Sequence, residues 1–380
     1  MSNKEVLSGI ISDLSCEAGI LINPANITYF TGLTFPFFYK QEEVKVALLI
    51  KDEKVTVIIP EEWKGIVLEQ NFSGEICTYN YTNSFSKSIL TVIEQVLEKN
   101  KKTIHKLALD KKSFSLHEIE NIENIMNKQN IIDMSSKIER QRIIKTEDEI
   151  KKIKKAVFQS DMGIIGALNH FEGSFLENGY TVAEFAERVR VHVYESGGTG
   201  NGIVQVNSDE LQNWFVKNTG RIKENTFLKI IVTNSYYGYW SNIVRTVFMG
   251  EIDSNSQKYW DENIHLKRFA EGLLKPAAKF SELLEQVESE AKDKGILLHR
   301  DSLIGFGIGT EEIESPFIED KEGSLEENMV IALSIVTLGP KSEKLCSQDI
   351  YRITKDGCER LSDYKDWDEI YEIYGFRVAH

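Results

Sequence analysis

Short apolar runs alternate with helical stretches through the first third of the chain, and this alternation limits what it can fold into. VLSGIISDL, AGILINP, KVALLIK and KVTVIIP come in succession, followed by the amphipathic SKSILTVIEQVLEKN. Strands joined by helices in this order predict an α/β domain with a mixed sheet. A hinge is expected at Ser135 and Ser136. Beyond it, RIIKTEDEIKKIKKAVFQSDMGIIGAL opens a long helix. Thr146 followed by Glu149 makes a capping box, and Ile150, Ile153, Ala156 and Val157 recur at helical spacing. Thr181 and Glu184 repeat the device at the head of TVAEFAERVRVHVYES, after which the Gly-rich GGTGNG at 197–202 feeds strands. There is no internal repeat and no low-complexity tract.

At 380 residues the chain is long enough for two domains and a large buried core. A hydrophobic share of 41% with 27% charged residues is that of a globular protein rather than a disordered one. Lys and Arg number 45 against 59 Asp and Glu, a net charge of −14, which disfavours nucleic acid or an anionic membrane as partner. No apolar run approaches the ~18 residues of a membrane span. Cys16, Cys77, Cys346 and Cys358 are scattered, with no C-x-x-C and no secretory signal ahead of them, which reads as reduced thiols in a cytoplasmic protein. Cys346 is taken as a small hydrophobe on a strand, since no His lies near it in sequence to activate it.

Four further segments carry the chemical information: IVTNSYYGYWSNIVRT at 231–246, GFGIGTEEIESP at 305–316, NMVIALSIVTLG at 328–339 and SQDIYRITKDGCERL at 347–361. Together they resemble the metal-binding core of the creatinase, prolidase and methionine aminopeptidase family, the pita-bread hydrolases. The first resembles D-x-G-x-x-Y-x-G-Y-x-S-D-x-x-R-T. Aligning Tyr239, Ser241 and Arg245 puts Ile231 and Asn242 at the two Asp ligands. The second resembles G-H-G-I-G-x-x-x-H-E-x-P, with Phe306 at a His ligand, Ile313 at a catalytic His, and Glu314 and Pro316 kept in frame. The third and fourth put Ser334 and Gln348 at the two Glu ligands. Divalent cations need several carboxylate or imidazole ligands, and Ile, Asn, Phe, Ser and Gln supply none. The expectation is therefore no metal and no cofactor. Neutral amides at 242 and 348 also avoid the repulsion of carboxylates crowded without a cation.

The resemblance spans essentially the whole chain and implies a two-domain α/β protein. Residues 1–137 would form a small creatinase-like domain, whose GILINPANITYFTGL at 19–33 resembles the family's first strand and turn, and residues 138–380 a pita-bread domain. The final DYKDWDEIYEIYGFRVAH extends past the family's usual end, with aromatics at helical spacing expected to dock on a surface or a neighbouring subunit. Register places Trp214 at a family His in the loop before the first Asp strand. Aligned on Gly32, Phe38 and Lys40 stand where a Phe and an Arg of the partner subunit close over the substrate in creatinase-like relatives. That implies a homodimer; alternatively FPFF is a hydrophobic lip and Lys40 is merely solvated. None of the seven histidines falls on a motif position, His299 coming nearest.

The cleft so built has walls of Trp214, Ile231, Phe306 and Ile313 with polar points at Tyr239, Asn242, Arg245, Ser334 and Gln348. It is either a ligand pocket, mostly apolar with a few orienting groups, or a filled core. Glu314 is the candidate for proton transfer, with a structural bridge to Arg245 as the alternative. The resemblance implies a metal-independent enzyme acting on a small amino-acid-derived or amide substrate at a C–N bond. The alternative is an inactive pseudopeptidase that holds a peptide or protein in the same cleft. A metallohydrolase with relocated ligands would need a new acidic cluster, which the sequence lacks.

Overall fold

The structure, a computed structural model, describes residues 3–35, 46–80, 85–100, 102–172, 180–199, 202–207, 220–299 and 305–373. The chain forms two compact units, Met1–Arg142 and Ile143–His380. The first has strands β1 (Ala18–Leu21), β2 (Ala47–Lys51), β3 (Lys54–Pro60), β4 (Glu75–Tyr79), β5 (Leu107–Leu109) and β6 (Ile131–Asp133). Its helices are α1 (Asn3–Asp13), α2 (Pro24–Thr31), α3 (Lys64–Glu69), α4 (Phe85–Asn100), α5 (Leu116–Ile125) and α6 (Ser135–Ile143). The strands form one mixed sheet in the order β4-β3-β2-β1-β5-β6.

Successive residues of these strands enter two different cores, which explains why they read as continuous apolar runs. Val55, Val57 and Ile59 pack with Leu7, Ile27 and Phe30 of α1 and α2. Ile58, Leu49 and Ile20 pack on the other face with Ile89, Ile93 and Leu97 of α4. The Asn23-Pro24 pair starts α2, with Asn23 accepting from the Ala25 N–H at 2.8 Å, and Gly32 ends it in the left-handed region at φ 74°. Ser135 and Ser136, read as a hinge, instead open α6.

The second unit contains β7 (Val204–Asn207), β8 (Thr226–Tyr236), β9 (Tyr239–Met249), β10 (Gly305–Gly307), β11 (Glu314–Phe317), β12 (Val330–Leu338), β13 (Lys344–Ile353), β14 (Cys358–Arg360) and β15 (Tyr371–Ile373). With them go helices α7 (Glu147–Glu172), α8 (Val182–Glu195), α9 (Ser254–Leu273) and α10 (Phe280–Lys294). The main sheet runs β11-β10-β12-β13-β9-β8-β7, with β14 on β13 and β15 parallel to β9. Both capping boxes form: the Glu149 carboxylate accepts from the Thr146 N–H at 2.8 Å, and Glu184 does the same for Thr181 at 2.7 Å. The extension departs from its helical expectation. Residues 371–373 take extended backbone because β9 offers them free ladder positions, and residues 374–380 lie outside the described residues.

Strand alternation divides the labour of this sheet. Leu228, Ile230 and Val232 of β8, with Ile243 and Val247 of β9, pack against α7 and α8. Ile331, Leu333 and Ile335 of β12, with Tyr351 and Ile353 of β13, pack against α9 and α10. The intervening residues of the same strands face the opposite way, and they build the site.

Candidate functional site

Lys229, Ile231 and Thr233 of β8, Asn242 and Val244 of β9, Ser334 and Val336 of β12, and Lys344, Cys346 and Gln348 of β13 line one cavity of about 360 Å³. Phe306 and Ile313 border it with Glu312, His299, Ile203 and Gln205. The register explains the convergence. Ser334 lies opposite Gln348, Gln348 opposite Val244, Val244 opposite Ile231 and Ile231 opposite Gln205, one row across four strand boundaries. Ile231, Val244, Val336 and Cys346 pack together as an apolar floor. Such a volume and such a lining suit a small organic ligand.

The polar groups of the floor are held by one another. Gln348 Nε2 donates to the Asn242 carbonyl oxygen at 2.7 Å and to its Oδ1 at 3.0 Å. Asn242 Nδ2 reaches the Glu312 carbonyl oxygen at 3.5 Å, and Ser334 Oγ lies 3.6 Å from Cys346 Sγ. Burial pushes the Cys346 thiol above its usual value, against the opposing pull of Lys229 and Ser334, which agrees with its reading as a small hydrophobe. Thr246 Oγ1, also on this face, donates to the Cys346 carbonyl oxygen at 2.8 Å.

These side chains do not fit a pair of divalent cations. Amides and a hydroxyl stand where carboxylates would be required, and among the described residues no three of His, Cys, Asp and Glu come together. Positions 231, 242, 306, 313, 334 and 348 do share one cavity. Trp214, Phe38 and Lys40 lie outside the described residues.

Three assignments need correction. Arg245 points away from the cavity, because it stands an odd number of residues from Asn242 on the same strand. Its guanidinium is buried against α7, with Nε donating to Asp161 at 3.1 Å and NH1 to Asp349 at 2.7 Å and to the Gln348 carbonyl oxygen at 2.8 Å. Lys267 donates to the other Asp349 oxygen at 2.5 Å. Burial would raise the Asp349 carboxyl, but Arg245, Lys267 and Arg360 outweigh it and hold the group well below the usual carboxylate range. Tyr239 shares Arg245's face, and its hydroxyl donates to Glu149 of α7 at 3.3 Å.

Glu314 is the third. Its buried carboxylate takes the Lys145 ammonium at 2.9 Å and the Glu311 N–H at 3.3 Å, and it is not part of the cavity lining. A structural bridge exists, but with Lys145 rather than Arg245. Gly309 passes so close that a Cβ there would lie 2.3 Å from Glu314 Oε1, while one at Gly307 would lie 2.3 Å from the Ser315 carbonyl oxygen. The glycines of GFGIG thus serve backbone approach and the Lys145 bridge. Glu314→Gln is expected to cost about 2–3 kcal/mol in urea denaturation, by leaving a buried ammonium short of its counter-charge, and to leave ligand affinity in the cavity unchanged.

Sequence reading missed Lys229, Lys344, Gln205 and Thr233. The signal was there in the strand period: Lys229 and Thr233 flank Ile231 by two residues, and Lys344 and Cys346 precede Gln348 by even intervals.

Residues 151–363 match metallopeptidase family M24, and residues 5–144 match the creatinase/prolidase N-terminal domain. An uncharacterised peptidase of Staphylococcus aureus is 25% identical over 371 residues, covering 94% of this chain and 99% of that protein. A putative dipeptidase of Bacillus subtilis is 22% identical over 278 residues, 72% of this chain and 75% of that one. Among solved structures, the X-Pro aminopeptidase of Thermotoga maritima superposes with a TM-score of 0.82 at 20% identity, covering 98% of this chain and all of that one (100%). The prolidase of Pyrococcus horikoshii superposes with a TM-score of 0.79 at 22% identity, over 95% and 97% of the two chains. A two-domain α/β fold, matched along nearly its whole length and carrying the M24 pattern over more than half of it, makes this chain a member of metallopeptidase family M24, of the creatinase and prolidase type.

Proposed function

We propose that the chain is a metal-independent enzyme on a prolidase-like scaffold, acting on a small amino-acid-derived or amide substrate at a C–N bond. The observation that supports this most is the cavity itself. Six positions aligned with the family's ligand or catalytic residues border about 360 Å³ of space, with an amide pair, Asn242 and Gln348, set in its floor. Loss of activity alone would require one substitution, whereas here the ligand set has been replaced by mutually bonded neutral groups. Asn242, Ser334 and Gln348 would orient the substrate amide, with Ile231, Val244 and Phe306 covering its apolar parts. His299, which lines the same cavity, is assigned proton transfer in place of Glu314. The reading includes a cytoplasmic homodimer. Light scattering should give twice the monomer mass.

Turnover of dipeptides and N-acyl amino acids is expected to be unchanged by exhaustive chelation, and His299→Gln is expected to lower kcat by about 100-fold or more while ligand binding persists. A stoichiometric transition metal in protein purified without chelator, with activity following the metal, would overturn the proposal. The second reading is a pseudopeptidase that binds without turnover. It is favoured by Glu314, the one acid kept in the family frame, being engaged with Lys145. Ligand-induced stabilisation with no product from any of these substrates decides for it.

A further inference from the structure

Hydrogen-bond chemistry fixes which way the two carboxamides of the cavity floor are turned. The Asn242 main-chain oxygen can only accept, so the Gln348 atom 2.7 Å from it is the nitrogen. The same nitrogen lies 3.0 Å from the side-chain oxygen of Asn242, and both of its hydrogens are thereby used. Asn242 is left with its own nitrogen, which meets the Glu312 carbonyl oxygen across a long 3.5 Å. Each orientation is thus set by an oxygen that has no hydrogen to give. Strand geometry makes the two residues neighbours: Gln348 stands opposite Val244, which lies two residues along β9 from Asn242 on the same face.

What is left for a ligand follows by subtraction. Gln348 Oε1 is an acceptor and Asn242 Nδ2 keeps a second hydrogen, and neither has a partner among the described residues. Both residues line the cavity, at 5% and 9% exposed. A buried donor and a buried acceptor left unmet are unfavourable, so the pair calls for a group that brings one N–H and one C=O. Because the two carboxamides are bonded side by side, that N–H and C=O must lie along one edge of the ligand. A linear peptide sends them to opposite sides of its trans amide, and the cis form of a bond not preceding proline is costly. The tertiary amide before a proline has no N–H at all. A lactam or a primary carboxamide carries both on one edge.

We infer that the cavity takes a ligand through a cis amide edge, the chemistry of a lactam or a primary carboxamide, with an apolar group attached. Gln348 Oε1 accepts the ligand N–H, Asn242 Nδ2 donates to its C=O, and the apolar group rests on Ile231, Val244 and Val336. The inference rests on reading the cavity as a ligand site and narrows the amide that enters it.

Titration calorimetry on the full chain with three neutral probes tests this: the cyclic dipeptide cyclo(glycyl-L-leucyl), whose two amides are held cis; its N,N′-dimethyl derivative, which lacks both N–H groups; and the linear N-acetyl-L-leucine N′-methylamide, whose amides are trans. Unmodified protein is expected to bind the first roughly tenfold or more tightly than either of the others. Gln348→Met, which keeps the side chain neutral and of similar length, should abolish the preference for the N–H lactam over its dimethyl derivative. Far-UV circular dichroism checks that the variant folds, and the comparison of probes on unmodified protein stands without it. Equal binding of the lactam and either counterpart by unmodified protein, or a preference that survives Gln348→Met, overturns the cis amide edge while leaving the cavity reading intact. Binding of none of the three counts against both.

Discussion

Replacing Arg245 with methionine is expected to destabilise the second unit by about 3–5 kcal/mol, read as a lowered urea midpoint, because removing one partner of a buried ion pair leaves the others uncompensated. Arg245 is 2% exposed, and its guanidinium is shared between Asp161 and Asp349. Truncation strands Asp161, while Asp349 retains Lys267 at 2.5 Å. The effect has a defined pH course. Asp349 titrates below its unfolded value, so the stability it contributes is fully present above the unfolded aspartate value of about 3.9 and is lost as pH falls toward its folded value. Asp161 behaves in the opposite sense: burial already raises its carboxyl, and losing the guanidinium raises it further, so the gap between unmodified protein and variant should narrow as the pH falls and the stranded Asp161 takes up a proton. A loss under about 1 kcal/mol at neutral pH would show that the network contributes little.

Gln348→Glu is expected to cost about 3 kcal/mol at neutral pH, since it introduces a buried carboxylate without a donor. Gln348 Nε2 donates to two oxygens of Asn242, and a carboxylate oxygen in its place would face two acceptors. The new carboxyl would have a folded pKa raised above its unfolded value. Its penalty is then complete above the folded pKa and disappears as pH falls below it, so the variant should approach the unmodified protein in acid. Zinc or manganese should not recover the loss at neutral pH, because one carboxylate falls short of the three protein ligands that a catalytic zinc takes. Metal-dependent rescue would sink the assignment of a neutral cavity.

The strands and the long helices were legible because their signals are local: apolar runs for β1–β3, capping boxes at Thr146 and Thr181. Ile231, Asn242, Phe306, Ser334 and Gln348 could be grouped through the family pattern, and strand geometry brings them to one cavity. Arg245 and Tyr239 were misplaced by the same pattern, which fixes spacing along a strand but not the face. Counting residues from Asn242 in twos would have put both on the helix side. Lys229 lay outside the motif and was passed over, although it shares a face with Ile231. Glu314 could not be placed in this way. Its partner Lys145 is separated from it by 169 positions, and the pairing of β10 with β11 shifts register at Phe306 and Gly307. Contacts of that range leave no local trace in the sequence.

β15 and the segment before it sit at the heart of the second unit. Ile373 pairs with Met249, Asp368 receives Lys267 and Arg268, and the Trp367 ring lies 5.2 Å from the Arg245 guanidinium. During synthesis the first unit has all its strands once Arg142 has emerged, and it can fold while the ribosome is still at work. The unit that holds the cavity must wait until residue 373 has been made, and until then its nascent sheet has an edge of β9 uncovered and a buried-charge cluster short of one of its acids, Asp368, the state in which a chaperone would have most to protect.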